Sequence, residues 1–334
     1  MHDFSSESMF QFANAIISGI RNLSSVWDLD KVMDFENQAT LNWAVITPSY
    51  IGDLERCKLL CESMDVFLQG PWHHYLIVDQ RELYLFSHLN GPRRTVLVEQ
   101  NILPGEMKYL GRLPFGRKLK LWWSWKTGFM GGWQIQQLLK LQMAHVVKED
   151  AMLMCDSDTF FIRLFHVSKL CENGAIRFLR SAHEYPEAND LNLTNFSKAA
   201  FALLDLKEPH FPVRNYVDNM IPWHAPTVRQ LCHHISQVQG KAWYLALGRK
   251  LIFSEYTLYG LYVDRLATDH PMLAPANESL CHTIWAKDGA TLQNLESIIK
   301  TLAPEIVAIG VQSNLSADPK IPDQLFRQMI SIEY

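Results

Sequence analysis

Four short apolar runs, each stopped by polar residues, restrict the fold of this chain more than any other feature. Trp43-Ala-Val-Ile-Thr47 ends in Pro48-Ser49-Tyr50, and Tyr75-Leu-Ile-Val78 ends at Asp79. Thr95-Val-Leu-Val98 ends at Glu99-Gln100, and Ala151-Met-Leu-Met-Cys155 ends at Asp156-Ser157-Asp158. Apolar runs of this length bounded by turn signals read as buried strands. Between the first two, apolar residues at 54, 57, 60, 61, 64 and 67 have helical spacing, with Asp53 placed as N-cap. A short helix is expected over 82–89 and a longer one over 132–148, where Ile135, Leu138, Leu139, Met143 and Val146 share one side. The alternation predicts an α/β fold with a mostly parallel sheet flanked by helices. Ligands of such sheets bind beyond the carboxyl ends of the strands, so Thr47, Pro48, Ser49, Asp79, Glu99 and Gln100 are candidate site residues.

The rest of the chain is less regular. Met9, Phe10, Phe12, Ala13, Ile16, Ile17 and Ile20 suit an amphipathic helix, and 23–40 are polar and unpatterned. Residues 1–40 therefore read as an N-terminal helical arm before a domain over 41–334. Beyond 165, helices are expected at 165–173, 194–204, 226–239 and 290–302, and a strand near 305–311. A 48% hydrophobic composition supports a large core. The net charge of −4 supplies no general attraction to nucleic acid, and no such partner is expected. No run approaches the roughly 18 apolar residues of a membrane-crossing helix, and Met1-His2-Asp3-Phe4 lacks the basic start of a secretory signal. The six cysteines form no Cys-x-x-Cys pair and read as reduced core thiols. A cytoplasmic protein is expected.

Residues 101–131 interrupt the alternation. They combine Arg112, Arg117, Lys118, Lys120 and Lys126 with Trp122, Trp123 and Trp125. A partly buried hairpin with a solvated basic edge explains them. So does a lid, a sugar-stacking platform or a peripheral contact with the anionic inner membrane. The opposite side of the 132–148 helix is also unusual, with Trp133, Gln137, Lys140 and Ala144. Either it is a second packing face, or it lines a ligand cleft in which Lys140 reaches an anion and Gln137 stands beside it.

Asp156 and Asp158 sit two residues apart just past a buried strand. Two unpaired carboxylates there would cost several kcal/mol, so something must pair with them. In a tight turn both can converge on one hard cation, and Mg²⁺ or Mn²⁺ takes one or two carboxylates, water and substrate phosphates. The pattern points to a divalent metal bridging protein and diphosphate, against a plain turn with an N-cap aspartate.

Taken in order, Ala44-Val-Ile-Thr-Pro-Ser-Tyr50, Leu76-Ile-Val-Asp79, Gly132-Trp-Gln-Ile-Gln-Gln-Leu-Leu-Lys-Leu141 and Met154-Cys-Asp-Ser-Asp158 resemble glycosyltransferases of the GT-A fold. With Ser254-Glu-Tyr-Thr-Leu-Tyr-Gly260, the chain looks closest to an uncharacterised bacterial glycosyltransferase-like group over residues 42–315. The resemblance implies a Rossmann-like sheet with a nucleotide-binding half over 41–164 and a helical acceptor-side half over 165–334. It implies a nucleotide-diphosphate sugar donor held by Thr47, Pro48, Ser49 and Asp79. Asp156 would stand by the ribose and metal-bound water, and Asp158 would bind Mn²⁺ or Mg²⁺. A late metal ligand is usual in that fold, with His282 and Gln312-Ser313 as candidates. Acceptors could be glycans or lipid-linked molecules.

Glu255 is the candidate base for an acceptor hydroxyl in an inverting reaction. Alternatively it is a carboxylate at a helix N-terminus capped by Ser254, or in a retaining enzyme a hydrogen-bond partner of the sugar. A non-catalytic nucleotide-sugar or glycan-binding module on the same scaffold is the rival function. A haloacid-dehalogenase-like phosphatase fits poorly, because Phe160 stands where that motif has Thr or Val and three strands precede it. Gly-x-Ser-x-Gly, Gly-x-Gly-x-x-Gly and His-Glu-x-x-His are all absent.

Overall fold

All four apolar runs form strands of one sheet. The computed structural model describes residues 41–112, 120–181, 184–186, 191–285, 291–312 and 320–332, so the expected arm over 1–40 lies outside the described residues. The alternation begins with β1 (Trp43–Pro48), α1 (Leu54–Phe67), β2 (Trp72–Val78) and β3 (Arg94–Val98). It resumes with α2 (Gly132–Met143) and β4 (Ala151–Cys155). β1 pairs in parallel with β2 on one side and β4 on the other, and β2 pairs in parallel with β3. Ala44 and Ile46 enter one core with α2, whereas Trp43 and Val45 enter another with α1. Burial on both faces is why the runs of β1 and β4 are almost continuously apolar.

Two further strands complete the site region. β5 (Thr159–Phe161) leaves the aspartate turn directly, and β6 (Met220–His224) pairs antiparallel with β4 at the sheet edge. The central order is therefore β6-β4-β1-β2-β3. A smaller sheet joins β7 (Cys281–Ile284), β8 (Ala308–Val311) and β5, parallel between β7 and β8 and antiparallel between β8 and β5. Among the described residues, parallel and antiparallel pairings are equally numerous, so the expected mostly parallel architecture gives way to α/β with mixed sheets. β6 belongs to 165–334 yet completes the sheet of 41–164, so the two halves share one sheet.

Later elements include α3 (Leu191–Leu203), α4 (Ala225–Gln239) and α5 (Glu255–Arg265). Residues 165–173 differ from the expected helix. Phe165 and His166 pair with Leu68 and Gln69, and Cys171 and Glu172 pair with Ile176 and Ala175 around a short 3-10 turn. Tertiary pairing there overrides the local spacing.

Residues 101–131 include three antiparallel strands, Lys108–Arg112, Lys120–Ser124 and Gly128–Gly131. Trp122 is buried, whereas Trp125 is 74% exposed. Lys120 and Lys126 are ion-paired with Glu99 and Glu106 at 2.6 and 2.9 Å, which reduces the basic character of the edge. Arg117 and Lys118 lie outside the described residues. Among those described, no helix is long and apolar enough to cross a membrane. All six cysteines are free, and five are buried.

Candidate functional site

The chain runs from β1 to β2 and β3 on one side, then returns to β4 on the other, so β1 and β4 flank the point where the strand order reverses. Crevices at such points are where open α/β sheets hold ligands. The Thr47 hydroxyl donates to the Cys155 carbonyl at 2.8 Å and ties the two strand ends together. Immediately beyond lies a cleft of about 360 Å³, lined by residues that include Pro48, Gln137, Lys140, Asp156, Asp158, Glu255 and Gln312.

The aspartate turn is pinned by its backbone. Asp156 N–H donates to Asn219 O at 3.0 Å, Thr159 N–H to Asp156 O at 3.1 Å, and Val311 N–H to Asp158 O at 2.9 Å. Side chains extend the framework. Gln312 Nε2 donates to Asn219 Oδ1 at 2.9 Å, and Asn219 Nδ2 donates to Asp158 Oδ1 at 3.0 Å. Asn219 can approach because Gly310 on β8 has no side chain. A Cβ there would lie 2.4 Å from Asn219 Nδ2.

α2 turns its unusual side to this cleft. Trp133, Gln137 and Lys140 all line it, while Ala144 is buried in the core. Lys140 Nζ donates to Asp156 Oδ1 at 2.7 Å and Tyr256 Oη at 2.7 Å, and lies 2.9 Å from Glu255 Oε1. All three ammonium protons thus have partners within the chain. The anion that Lys140 reaches is the protein's own pair of carboxylates. Burial works against the ammonium, but Asp156 and Glu255 outweigh it and hold Lys140 well above its ordinary value. Burial pushes Glu255 above the usual carboxylate range, only partly offset by Lys140. Gln137 Oε1 accepts the Glu255 N–H at 3.1 Å, and Ser254 Oγ accepts the Thr257 N–H as N-cap of α5. Glu255 is therefore both a helix N-terminal carboxylate and a wall of the cleft.

The remaining candidates divide. Thr47 and Ser49 are buried and do not line the cleft, whereas Pro48 does. Asp79 is also away from it. Its carboxylate accepts from Arg81 N–H at 3.0 Å and Gln100 Nε2 at 3.2 Å. Although burial opposes ionisation, those bonds and one from Tyr109 lower its pKa. His282 lines a neighbouring cavity, not the cleft, so of the late candidates it is Gln312 that joins Asp158. Ser313 lies outside the described residues.

Sequence reading missed Asp53, Asp218, Asn219, Tyr256 and Trp285, all of which line the cleft. Asp53 takes the N-cap position of α1 without capping it. Its carboxylate instead accepts from Ser157 Oγ at 3.5 Å and faces Arg56 at 3.4 Å. Burial raises its pKa to about 6. Asp218 and Asn219 escaped because β6 runs antiparallel. Its start, not its end, meets the carboxyl end of β4.

Asp53, Asp156, Asp158, Asp218 and Glu255 face one ammonium, Lys140, among the described lining residues, an excess of four carboxylates. Such an excess of hard oxygen ligands fits a Mg²⁺- or Mn²⁺-like ion that completes its shell with water and ligand oxygens. Among the described residues no group of three or more His, Cys, Asp or Glu could enclose a metal by itself. Asp156, Asp158 and Gln312 are lining residues whose side-chain oxygens could contribute to an ion shared with a ligand. No curated protein matches the chain. A family model described as a family of unknown function (DUF6492) matches residues 38–318, a span that includes the central sheet, the aspartate turn and the cleft, and the chain belongs to that family.

Proposed function

We propose that this protein is a metal-dependent glycosyltransferase with a GT-A-like fold, moving a sugar from a nucleotide-diphosphate donor to an acceptor hydroxyl. The observation that carries the reading is the Asp156-Ser157-Asp158 turn at the strand-order reversal, opening into a cleft with unbalanced negative charge. The resemblance of the sequence motifs to that fold supports it.

Asp158 and Asp156, with Gln312, would hold Mn²⁺ or Mg²⁺. When bound, the ion neutralises charge on the departing diphosphate. The chain's own residues prepare that place. Asn219 fixes the orientation of Asp158, and Lys140 does the same for Asp156 and Glu255. Lys140 is a positioning residue in this scheme, because its donors are already committed. The raised proton affinity of Glu255 supports its assignment as the base that accepts the acceptor hydroxyl proton.

Release of nucleoside diphosphate from a panel of nucleotide-sugars, with and without Mn²⁺, tests the reading. Turnover is expected only with the metal, and Asp158→Asn is expected to lower it by about 10²-fold or more while circular dichroism stays native. Metal-dependent nucleotide binding without turnover would favour a non-catalytic module. Undiminished turnover in Asp158→Asn would remove the metal role.

A further inference from the structure

Next to the cleft lies a larger cavity of about 890 Å³. Trp133, Phe196, Val217, Asp218 and Trp285 line both, so the two spaces adjoin. At this junction Trp133 is 46% and Trp285 59% exposed. Indoles gain by leaving water, at roughly 25 cal/mol per Å² of apolar surface, so two exposed indoles beside an open concave space offer a surface that a ligand can cover. Trp133 is held in place to receive one. Its ring stacks on Phe196 at 5.7 Å and 26° and touches Phe253 at 6.4 Å. Trp285 follows immediately on β7, whose Thr283 hydroxyl donates to Asp218 at 2.8 Å.

Beyond the indoles the walls mix apolar Leu179, Leu193 and Ile252 with neutral polar groups. Asn192, Asn215 and Asn277 bring neutral amides to the wall, with Asn215 Oδ1 accepting the Val217 N–H, and the Ser279 hydroxyl accepts from the Cys281 N–H. Besides the His282 imidazole and the Cys281 thiol, the ionisable side chains among the described lining residues are the carboxylates of Asp218 and Glu278, so a phosphate or carboxylate entering beside these two would meet like charge. A flat aromatic face beside neutral amides suits a molecule with an apolar C–H face and a rim of hydroxyls. That molecule is a sugar ring. The volume lies in the upper part of the range of roughly 300–1,000 Å³ for small-molecule sites, large enough for an oligosaccharide end rather than a small ion.

We propose that this second cavity binds the end of an uncharged glycan, with Trp133 and Trp285 stacking on the sugar at its junction with the cleft. On the glycosyltransferase reading, and resting on it, that glycan is the acceptor and its terminal hydroxyl faces the donor cleft. Glycan binding itself does not depend on that reading.

Tryptophan fluorescence of the full chain, titrated with cellobiose, lactose, maltotriose, chitobiose and N-acetyllactosamine, tests this. Digalacturonic acid serves as the anionic comparison. A saturable change with at least one neutral oligosaccharide is expected, and stronger binding of it than of digalacturonic acid. Trp285→Ala should weaken that binding roughly tenfold, the order of one or two aromatic contacts, and Trp285→Phe should restore most of it. Because Trp285 is mainly exposed, these variants are expected to fold. No saturable binding by any neutral oligosaccharide, preference for digalacturonic acid, or indifference to Trp285→Ala would each overturn the assignment. Neutral glycan binding by a chain that turns over no nucleotide-sugar leaves the cavity assigned and sinks the transferase reading. Donor turnover without neutral glycan binding does the reverse.

Discussion

Lys140 shows how much of the site hangs on one side chain. It is buried and holds Asp156 and Glu255 together, so removing it strands the buried Glu255 carboxylate, while Asp156, 32% exposed in its side chain, keeps contact with solvent. Breaking a buried pair costs about 3–5 kcal/mol. Lys140→Met is therefore expected to lose stability of that order in urea unfolding, and Lys140→Met/Glu255→Gln to recover part of it. A loss well below 1 kcal/mol would mean that solvent already satisfies the carboxylates. Asp53 gives a pH signature of the opposite kind. Its folded-state pKa is raised from 3.8 to about 6, chiefly by burial. The folded chain therefore keeps a proton that the unfolded chain releases. That contribution is complete below about pH 4 and is lost as pH rises through about 6. Asp53→Asn stays neutral throughout. With chelator present, its stability relative to the native chain should rise between pH 4 and 7, by at most about 3 kcal/mol. A difference that stays flat across that range would show Asp53 to be ionised and solvated throughout.

At the scale of elements, β8 matters through a residue with no side chain. Gly310 leaves room for Asn219, which in turn orients Asp158. Glycine within a strand ordinarily costs roughly 0.5–1 kcal/mol against alanine, so Gly310→Ala would be neutral or helpful if backbone freedom were all that counted. Instead Asn219 should be pushed from its place, and loss of an outer partner typically costs 10–100-fold in metal affinity. Calorimetric titration with Mn²⁺ is expected to show a loss of about that size in Gly310→Ala, out of proportion to any change in unfolding. Equal affinity in the two proteins would free Asn219 from the role. The element scale also shows what the chain's sequence could reveal. β1 and β4 announce themselves because both faces are buried and nearly every residue is apolar, β2 and β3 through their apolar later halves Tyr75–Val78 and Val96–Val98, and α1 begins and ends where its apolar spacing does. The cleft side of α2 was legible from one misplaced indole and one cation. β6 was not, because an antiparallel edge strand presents its site residues before the apolar run. Nor could spacing show that Thr47 and Ser49 turn inward while Pro48 faces the cleft, since that depends on the sheet's pleat and neighbours. Asp53 misled in another way. Its position beside α1 suits a cap, but the cleft claims its carboxylate.

Across the whole molecule, charge is distributed unevenly. The full chain carries a net −4, and the described residues lining the cleft alone carry an excess of four carboxylates. The rest of the chain sums to about zero, so the cleft residues account for the net charge, and the cleft is a focus of negative potential. A nucleoside diphosphate alone should be repelled from such a place. Mn²⁺ alone should enter but remain short of ligands, since no protein cage of three or more His, Cys, Asp or Glu is present among the described residues. On the proposed function each is therefore expected to improve the other's binding, and by linkage the improvement must be the same in both directions. Ligands at about 100 times their dissociation constant add about 2.7 kcal/mol to folded-state stability. With an unfolding entropy of roughly 2.1 cal/mol/K per residue, that corresponds to a rise of about 4 °C in Tm for a chain of this size. The expected pattern in a thermal unfolding screen of ADP, CDP, GDP and UDP is little shift with nucleotide alone, a small one with Mn²⁺ alone, and about 4 °C for at least one nucleotide with Mn²⁺. Additive shifts would mean that the two ligands occupy separate sites. A nucleotide that stabilises equally well in chelator would show that the carboxylate excess is neutralised by protons or by Lys140, and the divalent ion would lose its place in the chemistry.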